Sequence, residues 1–91
     1  MPLEIVRLPV PSGTEEDLVD YLQKADYFGQ AGLLSHRILV GSDEPEVGLI
    51  LEWESRELSR AALDSDVGKA FLAALEPRLS GQPQLTYYEP R

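Results

Sequence analysis

The chain has 91 residues, with eight Lys plus Arg against sixteen Asp plus Glu, a formal net charge of -8. That length suits one domain, read as residues 1–91, and the acidic balance disfavours nucleic acid or an anionic membrane as partner. With no cysteine in the chain, disulfides, thiolate metal sites and Cys nucleophiles are excluded.

No apolar run approaches the roughly 20 residues of a membrane-spanning helix. Met1 to Pro11 lacks the basic, apolar, small-residue order of a signal peptide. The expectation is a cytoplasmic protein. A domain of this size buries only about 60–70% of its unfolded surface, so pairing with a second copy would add stability.

Leu3-Glu4-Ile5-Val6-Arg7-Leu8 is short and partly β-branched, and Pro9 and Pro11 bound it, which predicts a strand. Ser12 to Asp17 predicts a helix start, with Thr14 as the cap and Glu15, Glu16 and Asp17 at the positive end of the dipole. Leu18, Leu22, Ala25 and Gly29 then form one stripe, flanked by Tyr21 and Phe28 and stopped by Gly29 and Gly32. Leu33 to Val40 predicts a second strand, with Leu34, His36, Ile38 and Val40 on one face and Ser35, Arg37 and Leu39 on the other. After the polar segment Gly41 to Glu46, Val47 to Glu54 predicts a third strand with Val47, Leu49, Leu51 and Trp53 on one face. The short polar link makes the pair an antiparallel hairpin.

Ser55 caps a short helix carrying Leu58, Ala61 and Ala62, and Asp64 or Ser65 caps the next. Val67, Ala70, Phe71, Ala74, Leu75 and Leu79 form the clearest helical stripe, with Pro77 ending or bending it. Leu85-Thr86-Tyr87-Tyr88 is the last strand, its two tyrosines on opposite faces. The order β-α-β-β-α-β is the split βαβ, ferredoxin-like arrangement, an α+β fold with a four-stranded antiparallel sheet and helices on one face. Ile5 or Val6, Leu39 and Ile50 are candidates for the open face, which a second copy would cover.

The run Leu49-Ile50-Leu51-Glu52-Trp53-Glu54-Ser55-Arg56-Glu57, followed by Asp64-Ser65 and Phe71, resembles the antibiotic biosynthesis monooxygenase-like domains. The Pro-Ser-Gly before the first helix and the Gly before the second strand fit the same pattern, which runs from about Leu3 to Tyr88. The resemblance implies a dimeric α/β barrel in which two sheets pack face to face, with a pocket between sheet and helices in each subunit. It implies a monooxygenase-type oxidoreductase that takes an aromatic or quinone-like small molecule and uses no metal or flavin cofactor. The cofactor-free oxygenases place an Asn four residues before the Trp, where this chain has Leu49. Haem-degrading relatives need an Asn and a His after the Trp strand, whereas this chain has no Asn and its one His is His36.

Trp53 is the residue of the family's functional set that carries over. It reads either as a core aromatic or as a wall on which a flat substrate stacks. His36, the one side chain that titrates near neutrality unperturbed, is the candidate proton acceptor for a phenolic substrate. The expected pocket joins Leu49, Leu51 and Phe71 as apolar wall with Tyr27 at its mouth. Arg37 and the pair Glu52 and Glu54 read as surface or interface residues. Two functions stay open at this level: a small oxygenase using His36 and Trp53, and a non-catalytic dimeric module that binds a small ligand or serves a structural role.

Overall fold

A computed structural model describes residues 1–91. β1 (Leu3–Pro9) and β3 (Glu46–Trp53) are the central strands of one antiparallel sheet, ordered β2-β3-β1-β4, with β2 (Leu33–Val40) and β4 (Gln84–Tyr88) at its edges. β3 has the cleanest alternation: Val47, Leu49, Leu51 and Trp53 are buried, and the residues between them are half-exposed. β1 alternates in step, with Glu4, Val6 and Leu8 buried. Register locks the two together, Ile5 opposite Ile50 and Leu8 opposite Val47. A one-residue slip would turn every buried side chain outward.

Helices α1 (Glu15–Gln23), α2 (Arg56–Asp64) and α3 (Asp66–Leu75) all lie on the face that presents Trp53. This is the α+β ferredoxin-like topology that the sequence pattern predicts. The 13 buried apolar residues form one cluster, joining Leu18 and Leu22 of α1 and Phe71 and Leu75 of α3 to the two central strands. Complete burial of a Leu or Phe side chain is worth about 1.5–3 kcal/mol, so this single layer carries most of the fold's stability.

The caps on α2 and α3 match their sequence signals. Ser55 Oγ accepts from the Leu58 amide at 3.2 Å, and Ser65 Oγ accepts from the Gly68 amide at 3.0 Å. Ser65 also donates to the Ala62 carbonyl, tying the two helices into a tight corner. Any Cβ at Gly68 would overlap the Ala62 carbonyl oxygen, so the corner requires glycine.

Three local expectations are corrected. Thr14 does not cap α1: its hydroxyl donates back to the Pro11 carbonyl at 2.7 Å, and Glu15 Oε1 accepts from the Gly13 amide instead. α1 ends at Gln23 rather than running on to Gly29. Ala25 is extended, and a 3-10 turn over Asp26–Gly29 follows, which rotates Tyr27 into the core. Gly32 then sits at φ +90°, and a Cβ there would come within 2.6 Å of Leu58 Cδ1. In β2 a bulge between Leu33 and Ser35 takes Leu34 out of the pattern, so Leu33 rather than Leu34 pairs with Trp53.

The opposite face of the sheet has no helix over it. Ile5, not Val6, stands there, with Leu3 and Ile50 half-exposed beside the more open Leu39 and Tyr88. Arg7 grips Glu46 through two bonds of 2.7–2.8 Å on this face. No helix is long and apolar enough to cross a membrane.

Candidate functional site

Between the sheet and α3 lies a cavity of about 550 Å³, inside the roughly 300–1,000 Å³ range of small-molecule sites. Its sheet wall is Val6, Leu8, Leu49 and Leu51, all buried by the alternation of β1 and β3. Phe71 and Leu72 come from α3, with Leu75 one helical turn further on. The segment from Leu79 to Leu85 closes the remaining side. Tyr27 completes the aromatic wall: its ring stacks on Phe71 with centroids 4.4 Å apart and planes 7° from parallel. Tyr21 backs Phe71 at 6.2 Å, and the Arg78 guanidinium covers Tyr21.

Glu4 is the one buried ionisable carboxyl in this lining, at 1% exposure. Its Oε1 accepts from Trp53 Nε1 at 2.8 Å and from Ser59 Oγ at 3.1 Å. Ser59 spends its only proton on Glu4, so at the 2.8 Å contact with Tyr87 the tyrosine hydroxyl donates to Ser59. Arg56 lies over the Tyr87 ring at 4.5 Å. Two donors, from β3 and α2, therefore converge on one carboxylate oxygen, and Tyr87 of β4 bonds to the second of them. Oε2 accepts no hydrogen bond, yet no sealed side-chain oxygen in the protein lacks a partner. Oε2 therefore retains access to open space, and the space that Glu4 lines is the cavity.

Electrostatics follow from that placement. Burial pushes the Glu4 carboxyl above the usual range, against the smaller opposing effect of the bonds from Trp53 and Ser59. Tyr27 is pushed well above its usual value by burial, with the charges of Glu4 and Tyr87 adding to the effect. It is a neutral phenol at physiological pH. No group of three or more His, Cys, Asp or Glu side chains is placed to hold a metal ion.

Tyr27, Leu49, Leu51 and Phe71, grouped from the sequence, all line this cavity. Trp53 is fully buried beneath it rather than in its lining, and its indole holds Glu4. His36 does not reach it. The imidazole is exposed and stacks on Phe28 at 4.4 Å, with Phe28 between it and Phe71. The reason is sheet order. β2 is an edge strand, and the helix layer is centred on β1 and β3, so a side chain on the correct face of β2 can still lie outside the covered region. Arg37 and Glu52 are on the open face, where Glu52 accepts from Ser35 at 3.3 Å.

Glu4, Ser59 and Tyr87 escaped the sequence reading as a set. One signal was present: Glu4 shares strand parity with Val6 and Leu8, which puts a carboxyl on an apolar face. Ser59 carries no comparable mark, because Ser on a helix reads as solvent-facing.

No protein-family model and no curated protein matches the sequence. Solved structures do. The monooxygenase ActVA-Orf6 of Streptomyces coelicolor, in complex with nanaomycin D, superposes with a TM-score of 0.83 at 27% identity, over 99% of this chain and 87% of that one. A variant of SnoaB, a cofactor-independent oxygenase from Streptomyces nogalater, gives 0.80 at 20% identity over 99% and 92% of the two chains. The protein NE2512 of Nitrosomonas europaea, of unknown function, gives 0.79 at 22% identity over 98% and 87%.

Proposed function

We propose that this antibiotic biosynthesis monooxygenase-like domain binds a flat aromatic or quinone-like molecule in the cavity and oxidises it as a small, cofactor-independent monooxygenase. The observation that carries this reading is the cavity itself: a mostly apolar space against the Tyr27–Phe71 stack, with the buried Glu4 carboxyl in its lining. The likeness to a monooxygenase in complex with nanaomycin D supports it. Without a bound reductant, both electrons that convert one atom of O₂ to water come from the substrate. A ring CH₂ plus O₂ then gives a ring C=O plus H₂O. Walls of Leu49, Leu51 and Phe71 exclude water around the substrate anion and favour its reaction with O₂ over reprotonation. Trp53 acts through Glu4 rather than by stacking the ring.

The open sheet face supports a homodimer of the barrel type, with Ile5, Leu39 and Ile50 meeting their counterparts across a two-fold axis. Light scattering on the eluted protein is expected to give the mass of two chains. A monomer at micromolar concentration would remove this part.

Oxygen uptake with a panel of anthrones and naphthoquinols tests the activity. Turnover above the buffer rate is expected for at least one, with Phe71→Ala losing more than His36→Ala. A second reading, a non-catalytic module that binds a small ligand in the same cavity, is favoured by Leu49 standing where the oxygenases resembling this chain carry Asn. Saturable binding without oxygen uptake across the panel would select it.

A further inference from the structure

The geometry points to Glu4 as the ligand-facing base of this cavity: Oε2 receives the hydroxyl proton of a ligand whose remaining body is flat and apolar. This rests on the reading of the cavity as a ligand site. The two carboxylate oxygens have different tasks. Oε1 is occupied by Trp53 Nε1 at 2.8 Å and Ser59 Oγ at 3.1 Å, which fixes the plane of the group. Oε2 accepts no hydrogen bond, and the cavity that Glu4 lines is mostly apolar, with Val6, Leu51, Phe71, Leu85 and Tyr27 among its lining residues. Burial raises the affinity of Glu4 for a proton, which narrows the gap to a phenolic hydroxyl.

In the transfer the ligand O–H bond breaks and a new O–H bond forms at Oε2. The electron pair stays on the ligand oxygen, so the negative charge moves from the carboxylate to the ligand and the net charge of the cavity is unchanged. Trp53, Ser59 and Tyr87 are positioning residues. Their donated bonds hold Oε1 in place before and after the proton moves. The charged and titratable groups facing Glu4 from the packed elements are Tyr27 from the 3-10 turn and Tyr87 from β4, with Arg56 of α2 behind Tyr87.

Glu4→Gln gives a discriminating test. Trp53 and Ser59 both donate, so the amide must turn its oxygen toward them and its NH₂ toward the cavity. The free position changes from acceptor to donor, and ligand preference should invert. Trp53 fluorescence reports titrations with three probes: 1-naphthol, 1-methoxynaphthalene and 1,4-naphthoquinone. The wild type is expected to bind naphthol about tenfold more tightly than its methyl ether, the scale of a hydrogen bond to a charged group. In Glu4→Gln that preference should vanish while naphthoquinone, a pure acceptor, gains. The naphthol-to-ether ratio of the wild type should also rise with pH as Glu4 ionises, above the ordinary carboxyl range, a measurement that needs no variant. Equal binding of all three probes by both proteins, or a ratio flat with pH, overturns the role of Glu4 and leaves the cavity reading standing. No binding of any probe to the wild type overturns both.

Discussion

Two glutamates on the central strands, Glu4 and Glu46, occupy opposite faces of one sheet and are perturbed in opposite senses. Glu4 is buried under the helices, and loss of water holds its carboxyl above the usual range. Glu46 stands on the helix-free face, where the hydrogen bonds from Arg7 hold its carboxyl below that range. The residue type is the same and the strands are adjacent, so the difference comes from what covers each face. The covered face raises the proton affinity of its carboxylate and holds it by two donated bonds. The bare face uses its carboxylate in an ion pair of the kind that contributes little to stability.

The largest effect expected from disturbing this contrast is at Trp53. Trp53→Phe removes both ring volume from the core and one of the two donors to Glu4 Oε1. A loss of about 2–4 kcal/mol in chemical denaturation is expected. A smaller effect, visible as a slope, comes from Glu4. Its folded carboxyl titrates above the ordinary value, so the native state binds more protons than the unfolded chain across that interval. Stability is full below the ordinary carboxyl value and falls as pH rises through the raised one. Thermal melts of Glu4→Gln should lack that fall, and parallel melts for both proteins would remove the argument. For Glu46 the sign reverses: its contribution is present above the ordinary value and is lost as pH drops through the lowered one.

On the bare face, Ile50→Asp should leave the core untouched and shift the eluted mass from two chains toward one, with little change in far-ultraviolet circular dichroism. Smallest of all is Arg7→Ala. It removes a pair whose Arg side chain is largely exposed, and a melting temperature within error of wild type at moderate salt is the expected result. A large loss there would mean that the pair is desolvated by a partner, sharpening the case for a covered face.

Much of the architecture was legible because its signals are local. The alternation of Val47, Leu49, Leu51 and Trp53 marks a half-buried strand without reference to anything else. Ser55 and Ser65 announce helix starts by the geometry of their own first turns. The cavity lining was readable in part for a related reason: Leu49 and Leu51 share the parity of Trp53, and Phe71 tops the strongest helical stripe. Tyr27 lines the cavity by way of a 3-10 turn, where the stripe of α1 predicts a continued helix. His36 shows the limit of parity. Its parity with Leu51 fixes its face, but its distance from the centre of the layer depends on sheet order.

The sequence alone therefore determined which residues alternate, where helices begin, and that one side of a four-stranded sheet would be covered, since these follow from dihedral preference and burial within short windows. The tertiary structure decided that Glu4, Trp53, Ser59 and Tyr87 meet. Their separations along the chain, 49 residues from Glu4 to Trp53 and 55 to Ser59, leave no periodicity to read. Only strand register and the docking of α2 bring their polar atoms within hydrogen-bonding distance, and only the exclusion of water around them turns an ordinary carboxylate into a base.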